Sequence, residues 1–307
     1  MIPCSMPMTY QSFIASVQQR LEADVPDPKT IEIYKITKNN GQILDGLVIL
    51  EEGRNIAPAI YLDSFYRLYR EGRDFEEVYH RILLSYQSHR ADTSVDVSFF
   101  TDYRKVKHRI AYKLVNYEKN RELLTQVPHV PYLDLAIVFF CLVRMDAAYG
   151  NATILVTDTH MEYWQVTAGT LLEAAAENTE HMLGSSIKNI RQVIQELGEN
   201  PAECEENRPE EPELPMYVLT NESSYFGAAC MLYEGLLENF ARKLNADLYI
   251  LPSSIHEVIL VPATRALNPE TLSHMVREVN QSSLMEEEVL SDHAYYYRRT
   301  DHAVSCC

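Results

Sequence analysis

The feature that most constrains this chain is an unbroken apolar run of nine residues, Leu135 to Val143. A helix needs about 20 apolar residues to cross a bilayer, so the run predicts no membrane-spanning helix, and we expect no membrane partner. We interpret Tyr132 to Met145 as a long apolar strand. A turn and a second strand, Ala152 to about Asp158, would complete the central hairpin of a sheet.

The rest of the pattern predicts short paired strands and blocks of helices. Asn39-Asn40-Gly41 lies between two β-rich runs, Thr30 to Thr37 and Gln42 to Leu50, and predicts a hairpin because these residues tolerate positive φ. Helices are expected to begin at four suitable N-cap residues, Thr9, Asp63, Asp74 and Asn268. We therefore predict an α+β fold, in which a largely antiparallel sheet built from hairpins carries helices packed on it.

Other segments predict single elements. Asp102 is expected to cap a basic helix whose apolar face is Tyr103, Val106, Ile110, Leu114 and Tyr117. A later helix is expected to carry Ile187 to Leu197, and Val95 to Phe99 alternates as a half-buried strand does. Ala294 to Tyr297 is expected to be a last edge strand, followed by a disordered tail that holds Asp301-His302.

One segment divides the chain. Residues 199 to 215 contain seven Glu and four Pro with almost nothing apolar, which predicts an acidic linker or loop. It would separate an N-terminal α+β portion, residues 1–198, from a C-terminal α+β portion, residues 216–307. The two portions could also form one composite domain.

Charge and composition exclude several classes of function. The net charge of −17 repels phosphate backbones and therefore disfavours general nucleic-acid binding. Met1 to Met8 lack the basic and apolar regions of a secretory signal, and six cysteines form no Cys-x-x-Cys pair. We expect a cytoplasmic protein with no metal site. The ten glycines form no phosphate-binding loop, so no cofactor is expected.

Several strings of residues are specific enough to compare with a known family. They are Val97–Tyr103, Lys113–Asn120, Val127–Ala136, Gly150–Leu155, Met216–Asn221 and Leu251–Ile259. The chain resembles, from about Tyr10 to Tyr297, a bacterial family catalogued only as a domain of unknown function, number 5688. The resemblance implies a bacterial cytoplasmic protein with one recurring architecture, and it brings no catalytic residues.

The first candidate site is Asp158-Thr159-His160-Met161-Glu162. Alternate residues of a strand share a face, so Asp158, His160 and Glu162 would project together if the strand extends this far. Carboxylates and an imidazole at that spacing can bind a divalent metal or pass a proton. The alternative is the polar, solvated end of a hairpin strand.

The second candidate is Ser253-Ser254-Ile255-His256-Glu257, between two predicted strands. Ser254, His256 and Glu257 are the components of nucleophilic catalysis. However, they lie within four residues of one another, and no Gly-x-Ser-x-Gly elbow surrounds them. The alternative is a turn whose hydroxyls bond the local backbone, with His256 bonded inside the sheet.

The third candidate is a basic helix face. Lys105, Arg109 and Lys113 are four residues apart, with Arg104 beside them, and could bind a phosphate-bearing ligand or an acidic partner. The alternative is a solvated face, or one paired with acidic residues of the same chain. The acidic segment 199–215 could shield this face in a salt-dependent way.

The function stays open between two classes. The first hypothesis is a soluble bacterial cytoplasmic binding or regulatory protein without catalytic activity, whose partner is an unknown protein or a small anionic ligand. The alternative is a hydrolase or metal-dependent enzyme that uses one of the two Asp/His/Glu or Ser/His/Glu clusters. Convergence of His160 and His256 in one concave pocket would favour the enzyme.

Overall fold

The computed structural model describes residues 7–25, 29–52, 57, 59–89, 98–144, 152–196, 214–252, 254–263 and 267–307. Three mostly antiparallel sheets and the helices between them confirm the predicted α+β class. The chain divides into two compact units. The first takes the described residues up to Lys38 and from Gln42 to Phe99, together with Arg144 and Ala152, and the second takes Asn39–Gly41, Phe100–Val143 and the residues from Thr153 onward.

The first unit is a helical layer on a three-stranded sheet. Its elements are α1 (Tyr10–Asp24), β1 (Lys29–Thr37), β2 (Ile43–Glu51), β3 (Ala59–Tyr61), α2 (Leu62–Arg70) and α3 (Phe75–His89). Thr9 caps α1 by accepting a hydrogen bond from the Ser12 amide, as predicted. Apolar residues at helical spacing on α1 and α3 pack against Leu47 and Ile49 of β2 in one core.

The hairpin turn between β1 and β2 is also confirmed. The strands pair antiparallel from Lys29 opposite Glu51 to Thr37 opposite Ile43. Asn40 has a φ of 58° and Gly41 a φ of 68°, which are the left-handed conformations that this sequence favours. The second helix begins one residue before the predicted cap, so Asp63 lies in its first turn.

The second unit contains the other two sheets. Its elements are α4 (Tyr103–Val106), β4 (Ile110–Asn116), α5 (Arg121–Leu124), β5 (His129–Tyr132), β6 (Leu135–Arg144), β7 (Ala152–Leu155), α6 (Asp158–Trp164), α7 (Ala168–Leu183), β8 (Ser186–Asn189), α8 (Ile190–Glu196), β9 (Tyr217–Thr220), α9 (Leu236–Leu244), β10 (Leu248–Leu251), β11 (Val258–Pro262), α10 (Pro269–Ser282), β12 (Tyr295–Arg298) and β13 (Ala303–Cys306). Asn268 caps α10 with Pro269 at the first position, as predicted.

The apolar run is the central strand β6 of a sheet with the order β4-β6-β5, and β7 also pairs with β6. The two strands of the predicted central hairpin are therefore paired, but the second ends at Leu155 and not near Asp158, and the predicted turn lies outside the described residues. The predicted single strand from Tyr132 is instead two strands, because Leu133, at a φ of 55°, and Asp134 turn the chain between β5 and β6. Met145 lies outside the described residues.

The other sheet has the order β13-β12-β10-β11-β9-β8. Strand β8, which precedes residues 199–215, pairs antiparallel with β9, which follows them. Residues 199–213 lie outside the described residues. The division into residues 1–198 and 216–307 stays a prediction.

The predicted basic helix is wrong beyond its first turn. Asp102 caps α4 through the Arg104 amide, but α4 ends at Val106 and a 3₁₀ turn covers Lys107–Arg109. Ile110 to Asn116 forms β4, which pairs with β6 along its whole length and is buried at five of its seven residues. This pairing gives the backbone N–H and C=O groups of β6 their hydrogen-bond partners. Pairing with a strand distant in sequence therefore outweighs the helical spacing of the apolar residues in this segment.

Three smaller predictions also need correction. Ser186–Asn189 is strand β8, so the predicted helix from Ile187 begins only at Ile190. β12 is not an edge strand, because the tail forms β13 and pairs with it. Asp301-His302 thus lies in a turn between paired strands, with His302 at a φ of 50°. Ser98–Thr101 is a 3₁₀ turn, and Val95 to Val97 lie outside the described residues.

A buried asparagine pair holds the turn Glu286–Glu288 in place. The Asn40 amide donates to Asn120 Oδ1 and Asn120 Nδ2 donates to Asn40 Oδ1, each at 2.9 Å. Asn40 Nδ2 also donates to the carbonyls of Glu286 and Val289, both at 2.7 Å. Asn120 is only 2% exposed, so these groups have no solvent to replace a lost partner.

We expect Asn120→Ala to lower the free energy of unfolding by about 2–3 kcal/mol, because it leaves buried polar groups of Asn40 without partners. Urea unfolding followed by circular dichroism measures this. Gln19→Ala on the exposed face of α1 is the control and should change stability little. Equal losses in the two variants would contradict the role of the asparagine pair.

Candidate functional site

The loop Ser254–Glu257 is held by backbone hydrogen bonds on two sides. Ser254 forms a β-bridge with Val289, and the Ile255 amide donates to the Glu288 carbonyl at 2.9 Å. On the other side, Thr220 Oγ1 donates to the His256 carbonyl at 2.8 Å. The loop before β11 is therefore a fixed platform for the side chains that it carries. Ser253 lies outside the described residues.

A second loop, Asn221–Gly227, follows β9 and faces the first. Asn221 is 2% exposed; its Oδ1 accepts from the Tyr225 amide at 3.1 Å and its Nδ2 donates to the Tyr225 carbonyl at 2.7 Å. Ser224 and Phe226 both have positive φ, 50° and 57°. Such conformations cost about 1–3 kcal/mol each and cluster at functional sites, so the loop is a candidate for function.

His256 joins the two loops. Its Nδ1 accepts from the Phe226 amide at 3.3 Å, and its ring is stacked on the Phe226 ring at 5.9 Å between centroids, with 7° between planes. Lys113 of β4 places Nζ 4.2 Å from the centroid of the same phenyl ring. Burial, together with the Lys113 charge, lowers the pKa of His256, against an opposing effect of Glu288. Nδ1 accepts this bond through its lone pair, and burial disfavours the charged imidazole.

Ser254 and Glu257 form the other pair in this site. Ser254 is 2% exposed and its Oγ accepts from the His256 amide at 3.0 Å. Burial raises the pKa of Glu257, and the charge of Glu288 raises it further, while a hydrogen bond from Ser254 opposes the shift. Glu257 thus keeps its proton to a higher pH than an ordinary glutamate.

These contacts do not have the order of a catalytic triad. A nucleophilic serine needs its hydroxyl bonded to the imidazole that deprotonates it. Here the Ser254 hydroxyl oxygen accepts from the His256 amide, and the imidazole Nδ1 accepts from the Phe226 amide. The structure thus brings the three predicted residues together on one loop, in an arrangement that fits the alternative of a locally bonded turn.

Glu257 also lines a cleft of about 630 Å³ over one face of the sheet. The strand registers explain which residues form its floor. Val218 of β9 is opposite Lys188 of β8 and Ile259 of β11, so the three share a face. Two residues along β8 and β9, the same face carries Ser186 and Thr220, and Glu257, the last residue of the loop before β11, also lines the cleft. Ile190 and Val193 of α8 form an apolar wall, and Glu196 and Glu222 also line the cleft.

The only lysine among the lining residues is paired. Lys188 Nζ contacts both carboxylate oxygens of Glu196, at 2.9 and 2.6 Å. Within the described part of the chain, the structure gives Glu222 and Glu257 no ion pair. The cleft therefore combines an apolar floor and wall with uncompensated carboxyl groups.

The first candidate cluster does not form on a strand, and that prediction is wrong. Asp158 to Trp164 is helix α6, so Asp158 and Glu162 lie four residues apart on one face while His160 projects from another. The Thr157 amide donates to His160 Nδ1 at 2.9 Å, and the imidazole packs against Phe100 and Trp164. Burial lowers the pKa of His160. Thr157 and His160 form a capping box at the N-terminus of α6, and this interaction favours a helix here.

The two histidines thus lie in different settings. The ring of His160 contacts Phe100 and Trp164, and the ring of His256 contacts Tyr225 and Phe226. Their convergence in one pocket would have favoured an enzyme, and these contacts do not provide it. Within the described ranges, no three His, Cys, Asp or Glu side chains lie together as a set that could hold a metal ion.

The basic residues do not share one helix face. Arg104 lies 3.6 Å from Asp102, and Arg109 donates to the Val143 carbonyl at 3.3 Å. Lys113 is on β4, over Phe226, and Lys105 is exposed on α4. Because β4 replaces the predicted helix, the premise of a four-residue spacing fails. An anion- or partner-binding role for these residues stays a prediction.

Gly227 is required where the two loops meet. A methyl group at this position would fall inside the contact distance of Thr220 Oγ1 and the His256 carbonyl oxygen. We expect Gly227→Ala to destabilise the protein by about 1–3 kcal/mol through overpacking. Gly169→Ala on α7 is the matched control, because its methyl would meet nothing closer than 3.7 Å. Urea unfolding of both variants checks this, and similar stabilities would contradict the close approach.

The raised pKa of Glu257 predicts a pH-dependent stability difference. A carboxyl group with a raised folded-state pKa stabilises the fold at low pH, and this contribution is lost as the pH rises through the folded pKa. Glu257→Gln should therefore be more stable than the natural protein at about pH 8, with the gap closing towards about pH 4. Glu32→Gln on the exposed face of β1 should show no such gap. A Glu257→Gln gap that is constant with pH would contradict the assignment.

The comparisons with known proteins identify a family but not an activity. Among the described residues, no helix combines the length and apolarity needed to span a bilayer. No curated protein matches the chain, and no solved structure does. The family described as "Family of unknown function (DUF5688)" matches residues 10–299, which confirms the resemblance drawn from the sequence. The chain therefore belongs to this family of unknown function.

Proposed function

We propose that this chain is a small-ligand-binding or regulatory protein of the bacterial cytoplasm, and that its ligand occupies the cleft over β8, β9 and β11. The observation that carries this proposal is the cleft itself. Its volume of about 630 Å³ lies within the range of about 300–1,000 Å³ that is typical of small-molecule sites. An apolar floor with a few polar groups at one end is also the usual composition of such sites.

The geometry supports binding better than catalysis. The Ser254 hydroxyl accepts from the His256 amide, and the His256 imidazole accepts from the Phe226 amide. These bonds fix the loop and leave Glu257 as the group that faces the cleft. A hydrolase or metal-dependent enzyme is therefore not the function that this arrangement favours.

The same geometry supports a regulatory role. Glu257 lines the cleft; in the same loop, the Ile255 amide bonds to the Glu288 carbonyl and His256 bonds to the Phe226 amide. A ligand that contacts Glu257 would thus act on a loop that is bonded both to the turn at Glu288 and to the loop Asn221–Gly227. Coupling of this kind requires that the ligand bind the two loop states with different free energies.

The test is a fragment screen by saturation-transfer NMR on the full chain. Val193→Trp should fill the cleft from α8 and abolish the signals of cleft-binding fragments. Val279→Trp, at a 43% exposed position on α10, is the matched control and should retain them. Circular dichroism establishes that both variants are folded.

Fragments that bind all three proteins equally would place the ligand elsewhere and overturn the proposal. The absence of any fragment signal from the natural protein would also overturn it, because sites of this volume bind fragments measurably.

A further inference from the structure

We propose that the ligand of this cleft is a small organic cation, an amine whose ammonium group is bound at the Glu257 end and whose apolar body lies over Val218 and Ile259. This inference rests on the proposed function of the cleft and adds the chemical class of its ligand. Four observations support it.

The first observation is the charge of the cleft. Glu196, Glu222 and Glu257 contribute three carboxyl groups, and among the described residues that line the cleft Lys188 is the one with a basic side chain. Lys188 is bound by both oxygens of Glu196, so its charge is already compensated. Glu222 and Glu257 would repel an anionic ligand, and Lys188, already paired, would not offset that repulsion. A cationic ligand would instead be attracted.

The second observation is the position of Glu257 relative to the apolar floor. Glu257 is the last residue of the loop before β11 and Ile259 is the second residue of that strand, and both line the cleft. Val218 is directly opposite Ile259, and Val193 of α8 also lines the cleft. A ligand bound through a charged end at Glu257 would thus extend its hydrocarbon body between these side chains.

The third observation is the hydrogen-bonding capacity at that end. An ammonium group has three donors and no acceptor. Glu257 offers carboxylate oxygens, and Ser186 offers a hydroxyl. The Thr220 hydroxyl gives its proton to the His256 carbonyl, so its oxygen is left with lone pairs to accept. This end of the cleft is therefore rich in acceptors, as an ammonium group requires.

The fourth observation is the ionisation of Glu257. Burial and the nearby Glu288 raise the pKa of its carboxyl group, opposed by Ser254, while burial lowers the pKa of His256 beside it. Glu222 is the other acidic group that lines this end. A bound ammonium would favour the ionised form and release the proton. Amine binding should therefore strengthen as the pH rises through the titration of Glu257.

The test uses three probes with one apolar body, namely benzylamine, benzyl alcohol and benzoate. Their affinities for the full chain are measured from the methyl resonances of Val193 and Val218. We expect benzylamine to bind at least about tenfold more tightly than benzyl alcohol, because a charge-assisted hydrogen bond is about twice as strong as a neutral one. Benzoate should bind most weakly.

Three variants separate the contributions of individual carboxyl groups to benzylamine binding. Glu257→Gln should reduce benzylamine binding to the level of benzyl alcohol and leave the alcohol unchanged. Glu222→Gln should give a smaller loss, because Glu222 is exposed. Glu32→Gln on β1 should have no effect and serves as the control for overall charge.

The outcomes distinguish the two claims. If benzyl alcohol or benzoate binds in the cleft as tightly as benzylamine, or if other fragments bind there while benzylamine does not, the cation inference fails and the proposed function stands. If no probe or fragment is sensitive to Val193→Trp, both fail. Benzylamine binding that is unaffected by Glu257→Gln would also overturn the inference.

Discussion

The pairing of β9 with β8 on one side and β11 on the other determines which side chains line the cleft. Because strand side chains alternate, this register places Val218 and Ile259 on one face, beside Glu257 at the end of the preceding loop. A slip of one residue in β11 would put Ile259 on the opposite face. The apolar floor, the position of the buried carboxyl group and the inferred ligand class all follow from that register.

Buried amide side chains then fix the loops at the end of these strands. Asn221 bonds both backbone groups of Tyr225, and Asn40 bonds the carbonyls that flank the turn at Glu288. These bonds compensate for the strained backbone at Ser224 and Phe226, which local sequence alone would not select. The site therefore depends on polar networks whose members lie far apart in sequence.

Local signals in the sequence predicted the elements that local forces decide. Thr9 and Asn268 cap their helices, Asn39-Asn40-Gly41 forms the turn of its hairpin, and the apolar run is a central strand.

Prediction from the sequence failed where a partner distant in the chain determines the local structure. Lys113 is at helical spacing from Arg109 but lies on β4, because β6 needs a paired neighbour. The loop that carries His256 could be predicted, whereas its contacts with Phe226 and Lys113 and the cleft beside it required the fold. The alternation of side chains along β9 and β11 was the one signal in the sequence that could have placed Glu257 near Val218.

The central claim is that Glu257 is the carboxyl group through which the cleft binds a cation. The most direct measurement is the titration of the Glu257 carboxyl carbon by NMR, in the free protein and with saturating benzylamine. The account predicts a pKa above the ordinary range of glutamate in the free protein, since burial and Glu288 raise it, and a fall of that pKa when benzylamine is bound. An ordinary pKa in the free protein, or one that benzylamine leaves unchanged, would contradict the account.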